Sequence, residues 1–382
     1  MVCAQIEREY HYQQGDLSMK RTASFVFALA LAALSFAACS TPPTTTTSTT
    51  TATSPAAAKP AESPAPVVKI TRLDPALDKL LAPDVKVEKL AEGYAWSEGP
   101  VWNKKDGYLL FSDIPNNRIV KWDGKAASDY LKPAGYTSQA SFDGKEPGTN
   151  GLTYDAQGRL VACAHGDRVV VRLENDGKQR TVLAGKFEGK RFNSPNDLVY
   201  KSNGDLYFTD PPYGLPKGAE DPAREMDYCG VYRLAKNGQI TLLTKEVTRP
   251  NGIAFSPDEK TLYVASSDPD KAIWMAYPVK ADGTLDKGKV FFDATAWHKE
   301  KRPGLPDGLK VDKSGNLWAT GPGGVLIFTP DGKHLGTIDT GVPTANVGFG
   351  DDGSTLYITA NHELLRVKTG TKCAPNSNCP TA

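Results

Sequence analysis

Six polar positions recur along this chain, each leading into an apolar run: Glu98, Asn150, Asn196, Asn251, Asp307 and Asn346. Most precede a glycine, as in Asn150-Gly151-Leu152, Asn251-Gly252-Ile253 and Asp307-Gly308-Leu309. The set holds two carboxylates and four side-chain amides, with no His or Cys. Gathered in one place, they form a shell of hard oxygen donors suited to Ca2+ first, and also to Mg2+ or Mn2+. Two carboxylates balance one divalent charge, and amide oxygens fill the shell without added repulsion. Zn2+ normally recruits His or Cys, so it enters only where affinity outweighs that preference. Each Asn-Gly or Asp-Gly pair alone is an ordinary turn former. The chemistry depends on whether the copies converge.

The spacing predicts that they do. The copies recur every 39 to 56 residues, and each is followed by a turn and a strand-like run such as Leu206-Tyr207-Phe208-Thr209-Asp210. A third run comes next, for example Arg118-Ile119-Val120-Lys121-Trp122. Asn-Gly and Asp-Gly pairs at 123–124, 203–204, 237–238 and 331–332 separate apolar runs and signal hairpins. A unit of about 40–50 residues with three or four strands is a propeller blade. Six copies therefore predict an all-β, six-bladed β-propeller, against a β-sandwich as the alternative. The last unit lacks a fourth strand. Residues 85–90, ahead of the first copy, are expected to supply it as an outer strand that seals the ring. Short helices are expected at 74–81 and 222–226. In a propeller the first strand of each blade lines the channel, so the six polar positions fall at one end of the axis.

Bulk properties exclude other classes. Of 382 residues, 40% are hydrophobic and 23% charged, and the net charge is +1 with no cationic run. Nothing marks the chain for nucleic acid. Six cysteines are too few for a disulfide framework at this length. Cys163 and Cys229 read as buried apolar fillers, and Cys373 and Cys379 flank a short loop that an oxidising compartment would close. Residues 1–18 read as a leader ahead of the true start at Met19. Lys20 and Arg21 then precede fourteen uncharged residues, Phe25 to Ala38, the layout of a signal peptide over 19–39. It ends Phe36-Ala37-Ala38-Cys39-Ser40, which resembles a bacterial lipobox with Cys39 as the lipidated residue. Ordinary cleavage after Ala38 is the alternative. Residues 40–68, rich in Thr, Pro and Ala, read as a disordered tether, 69–370 as the propeller and 371–382 as a C-terminal tail. The expected product is an exported bacterial lipoprotein, periplasmic or at the cell surface, touching membrane only through Cys39. Palmitate incorporation is expected to vanish in Cys39→Ala; unchanged labelling would remove the anchor.

Longer motifs resemble the SMP-30/gluconolactonase/luciferin-regenerating-enzyme family. They are Ser97-Glu98-Gly99-Pro100-Val101-Trp102, Ser194-Pro195-Asn196-Asp197-Leu198, Phe208-Thr209-Asp210-Pro211-Pro212-Tyr213-Gly214-Leu215, Arg249-Pro250-Asn251-Gly252-Ile253 and Leu305-Pro306-Asp307-Gly308. The third motif and Ala164-His165-Gly166 are most similar to the bacterial gluconolactonase branch. The resemblance implies a six-bladed propeller with a divalent metal at the channel mouth, ligated by Glu98, Asn196, Asn251 and Asp307, and a lactone substrate. Asn346 has no such warrant. Asp307 is the leading candidate for the base that activates water, with Asp197 and Asp210 as alternatives, and a coordinated carboxylate is a poor base. Asn150, His165 and Tyr213 are candidates for substrate contacts. No Gly-x-Ser-x-Gly elbow or phosphate-cradling glycine loop competes. Phosphoester or small-ester hydrolysis on the same centre, or a ligand-binding propeller without catalysis, are the alternative functions.

Overall fold

Alternating apolar residues build six antiparallel blade sheets, beside one two-stranded ribbon, Lys186–Phe187 with Lys190–Arg191, and the pairing gives the architecture directly. The computed structural model describes residues 68–375 apart from 176 and 178, all within one unit, Ser63–Ala382. The expected leader, signal peptide, Cys39 lipobox and nearly all of the tether lie outside the described residues. The first blade comprises Ser97–Asn103, Tyr108–Asp113, Arg118–Trp122 and Ala127–Leu131; the second comprises Thr149–Tyr154, Leu160–Ala164, Val169–Leu173 and Arg180–Ala184. Third, fourth and fifth blades follow the same meander, starting at Leu198, Pro250 and Leu309. The sixth has three consecutive strands, Thr344–Gly350, Thr355–Ala360 and Glu363–Lys368. Its fourth is Val87–Glu92, antiparallel to Glu363–Lys368 with Val87 opposite Val367. The chain is thus a six-bladed propeller closed by an N-terminal outer strand, two residues further along than expected.

Strand alternation sends successive side chains to opposite sheet faces, so each blade feeds two interfaces. In the strand Tyr108–Asp113, Leu110 packs with Leu152, Ala162 and Val171 of the second blade. Its neighbours Leu109 and Phe111 pack instead with Tyr357 and Leu364 of the sixth. The buried apolar residues fall into six such clusters, and each joins one pair of adjacent blades. Cys163 and Cys229 are buried free thiols as expected, Cys163 within the strand Leu160–Ala164 and Cys229 just ahead of the strand Gly230–Leu234.

Three local expectations change. The helix expected over 74–81 is a 3-10 turn, Pro75–Lys79, capped by Asp74 accepting from Ala76 N at 2.8 Å. The one expected over 222–226 is absent, because its backbone groups are used elsewhere. Ala223 O accepts from Arg168 at 2.8 Å, and Ala223 N donates to Asp221 at 2.8 Å. Lys69–Arg72 adds a fifth strand to the outer edge of the fifth blade. At the other end, residues 372–374 bond back to Lys313, Val311 and Gly353, so the described part of the tail is fixed to the propeller. Cys373 is disulfide-bonded; its expected partner, Cys379, lies outside the described residues.

Candidate active site

Each of the six recurrent positions sits where an inner strand departs from its partner. The ladder loses register between Glu98 and Val101, Thr149 and Leu152, and Pro250 and Ile253. In the sixth blade the break lies between Thr344 and Asn346. In the third and fifth, pairing begins only at Leu198 and Leu309, just past Asn196-Asp197 and Asp307-Gly308. A break of this kind frees a residue from the strict alternation that would bury its side chain between blades, and re-aims it.

The glycines beside these residues serve close approach more than turn geometry. A Cβ on Gly151 would stand 2.7 Å from Asn196 O, on Gly252 2.2 Å from Asp307 O, and on Gly308 1.9 Å from Asn346 Cγ. Each lets one inner strand touch the polar position of the next blade. Hydroxyls ending the second strands tie the same neighbours. Ser112 Oγ donates to Asn150 O at 2.7 Å, Thr209 Oγ1 to Asn251 O at 2.7 Å, Ser267 Oγ to Pro306 O at 2.6 Å and Thr320 Oγ1 to Ala345 O at 2.8 Å. Ser97 Oγ, donating to Asn361 O at 3.0 Å, joins the first blade to the last.

Within this ring, polar atoms are buried without partners: Asn150 Oδ1, Asn196 Oδ1, Asp197 Oδ2, Asp307 Oδ1 and Tyr213 Oη. Native interiors rarely leave such groups unpaired, so each calls for an explanation. Glu98 Oε2 accepts from Gly99 N and from Asn346 Nδ2, the latter at 3.0 Å. Burial pushes the Glu98 carboxyl up to about 7, the nearby Asp197 charge adds to this, and the donors and Lys310 oppose it. Burial, then the charges of Glu98 and Asp197, hold Asp307 well above the usual carboxylate range. Asn251 Nδ2 donates to Ser267 Oγ at 2.8 Å, which leaves its amide oxygen for another partner. Among the described residues no three His, Cys, Asp or Glu form a metal-holding group. A cation here therefore depends on the amides. Two carboxylates with the Asn196 and Asn251 oxygens fit a hard divalent ion.

The other expected residues divide. Asp197 Oδ1 accepts from Leu198 N at 2.9 Å, so its carboxylate is oriented while Oδ2 stays free. Asp210 is fully engaged: Oδ1 accepts from Ser194 N and Oδ2 from Asn193 N, both at 2.8 Å. Burial pushes it up to about 7, against those two bonds and the charge of Arg168. Asp113 does the same in the first blade, accepting from Ala95 N at 3.0 Å. Asp210, expected as an alternative base, is thus a clamp on the loop that carries Asn196. His165 is fully buried; its Nδ1 lies 3.1 Å from Glu146 Oε2, outside hydrogen-bond alignment, and Nε2 has no partner. It lies against Gly214, where a Cβ would stand 2.6 Å from His165 Cβ. Tyr213 lies close to Ser267 and Asp307.

Glu146, Ser267 and Lys310 join the site without having been singled out in the sequence, and Asn346, a recurrent position for which the resemblance gave no role, joins it through Glu98. Lys310 carried a signal. It stands three places after the polar position, where the other copies have Val101, Thr153, Val199, Ala254 and Phe349.

Comparison with known proteins narrows the chemistry. A family model for the SMP-30/gluconolactonase/LRE-like region matches residues 96–362. A gluconolactonase of Zymomonas mobilis is 42% identical over 315 residues, 79% of this chain and 86% of that protein. The solved structure of a gluconolactonase from Xanthomonas campestris superposes with a TM-score of 0.69 at 33% identity, covering 82% of this chain and 99% of that one. Regucalcin of Oryctolagus cuniculus is 28% identical over 291 residues, 74% of this chain and 88% of that protein.

Proposed function

The chain belongs to the SMP-30/gluconolactonase/LRE-like family, and from that premise we propose that it is a gluconolactonase-like lactone hydrolase. In this reading a divalent cation, Ca2+ first, is held by Glu98, Asn196, Asn251 and Asp307. The supporting observation is the pair of buried, unpartnered oxygens Asn196 Oδ1 and Asp307 Oδ1 beside Glu98. Oxygen-only donors favour Ca2+ over Zn2+. Bound there, the cation supplies Lewis acidity toward a lactone carbonyl.

The rest is work for the protein's own groups. Asp197 Oδ2 is the free carboxylate oxygen and takes the proton of the attacking water. This choice differs from Asp307, whose oxygens serve as ligands. The water oxygen bonds to the carbonyl carbon, the ring C–O bond breaks, and the departing oxygen takes up the proton that Asp197 accepted, leaving as a hydroxyl and restoring the carboxylate. Asn150 Oδ1 accepts from a substrate hydroxyl, Tyr213 Oη donates to one, and His165 backs that wall. Export and lipidation through Cys39 belong to the same proposal, supported by the sequence between Met19 and Ser40. The test is a lactone screen with purified, Ca2+-saturated protein. Hydrolysis of gluconolactone or a related aldonolactone is expected; a fully loaded protein that leaves the whole panel untouched sinks the reading.

A further inference from the structure

Lys310 occupies a place no other blade gives to a charge. It lines the small cavity in the propeller axis together with residues such as Val101, Thr153, Val199 and Phe349, and it is the only charged residue of that lining among the described residues. Its Nζ donates to Leu309 O at 3.1 Å and stands 3.5 Å from Asn346 Oδ1. Asn346 Nδ2 in turn donates to Glu98 Oε2 at 3.0 Å. The ammonium therefore sits one amide away from a carboxylate ligand, on the channel side of the site.

The charge balance gives this placement a purpose. Glu98, Asp197 and Asp307 interact with one another in the ring. Fully ionised, these three carboxylates carry three negative charges, and a divalent cation leaves one uncompensated. Glu146, about one-third exposed and lying against His165, also acts on Asp307, but as a charge that solvent screens. An unbalanced charge in a buried site is strongly unfavourable. Lys310 supplies the missing positive charge from a position that takes no coordination place. We propose that Lys310 is a built-in counter-ion that sets the valence preference of the metal site, favouring a divalent over a trivalent ion, while steadying Asn346 against Glu98. The inference rests on the metal reading above.

The test compares Ca2+ and Tb3+ affinities by calorimetric titration of the full chain. In Lys310→Met and Lys310→Gln the three carboxylates lose their counter-charge, and Tb3+ binding is expected to strengthen relative to Ca2+ by about tenfold or more, a site carrying one more negative charge favouring the extra charge on the ion. Lys310→Arg keeps the charge and should hold the wild-type ratio. An unchanged ratio in Lys310→Gln, or an equal shift in Lys310→Arg, overturns the counter-ion role. Absence of any ion binding by the wild-type chain overturns the metal reading and this inference together, so the two failures are distinguishable. Circular dichroism of each variant identifies any that fails to fold. The Gln and Met variants are alternatives to each other in that case.

Discussion

Replacing Asp307 by alanine is expected to abolish lactone hydrolysis while leaving the metal-free protein at least as stable as wild type. The two halves of this result come from one arrangement. Asp307 is pressed against Glu98 and Asp197 with one oxygen unpartnered. Without a cation, burial beside Glu98 and Asp197 disfavours ionisation of Asp307, and deleting it removes that cost. With a cation, the same carboxylate is a ligand. Metal affinity is expected to fall by more than about 100-fold, the upper end for groups that merely support a ligand. The rate should fall by roughly 10²–10³-fold or more, the scale of one lost electrostatic contact in the transition state. Thermal unfolding with and without Ca2+ checks both. Saturating ion at about 100 times its Kd should stabilise the wild type by about 2.7 kcal/mol and the variant by far less. An active Asp307→Ala enzyme, or one whose metal-free form unfolds well below wild type, contradicts the assignment.

Gly252→Ala is expected to damage the site from a residue that touches no substrate. The added Cβ would stand 2.2 Å from Asp307 O and 2.8 Å from Gly308 Cα, both backbone atoms that cannot rotate away. The fourth and fifth blades must separate at the channel mouth. Overpacking of this kind costs about 1–3 kcal/mol, and more where backbone is the obstacle. Asp307 moves with its carbonyl, so metal affinity should drop along with the melting temperature. Gly185→Ala is the control. Its nearest atoms would be side-chain carbons at 3.3 and 3.5 Å, and small adjustments absorb them. If Gly252→Ala melts and binds metal like Gly185→Ala, the close approach does not matter to the site.

The blade count, the closing strand and the gathering of six polar positions were legible because a repeat displays them many times over. Roles that depend on contacts between copies were not. Ser112-Asp113, Thr209-Asp210 and Ser267-Asp268 are one recurring pair in three blades. In two of them the Asp takes backbone N–H groups just ahead of the inner strand. Taken singly inside a family motif, Asp210 reads as an alternative catalytic base. Seen with Asp113, it is a loop clamp. The glycines of the repeat read as turn formers, yet Gly151, Gly252 and Gly308 are required by the neighbouring blade's backbone and side chains. Asn346 looked like a structural copy because its partner, Glu98, is 248 residues away. Only ring closure brings the two together.

That closure has a further consequence for when the protein becomes competent. The sixth sheet joins Val87–Glu92 to Glu363–Lys368, and pairing so distant in sequence forms late because the intervening loop must close first. A nascent or prematurely ended chain can stack its early blades, but it holds Glu98 without Asn346 beside it and presents open sheet edges at both ends. Glu98 and Asn346 are therefore brought together only in a chain whose last strands have been made and docked. In the metal reading proposed above, ion occupancy is then expected to favour molecules whose ring has closed over truncated ones.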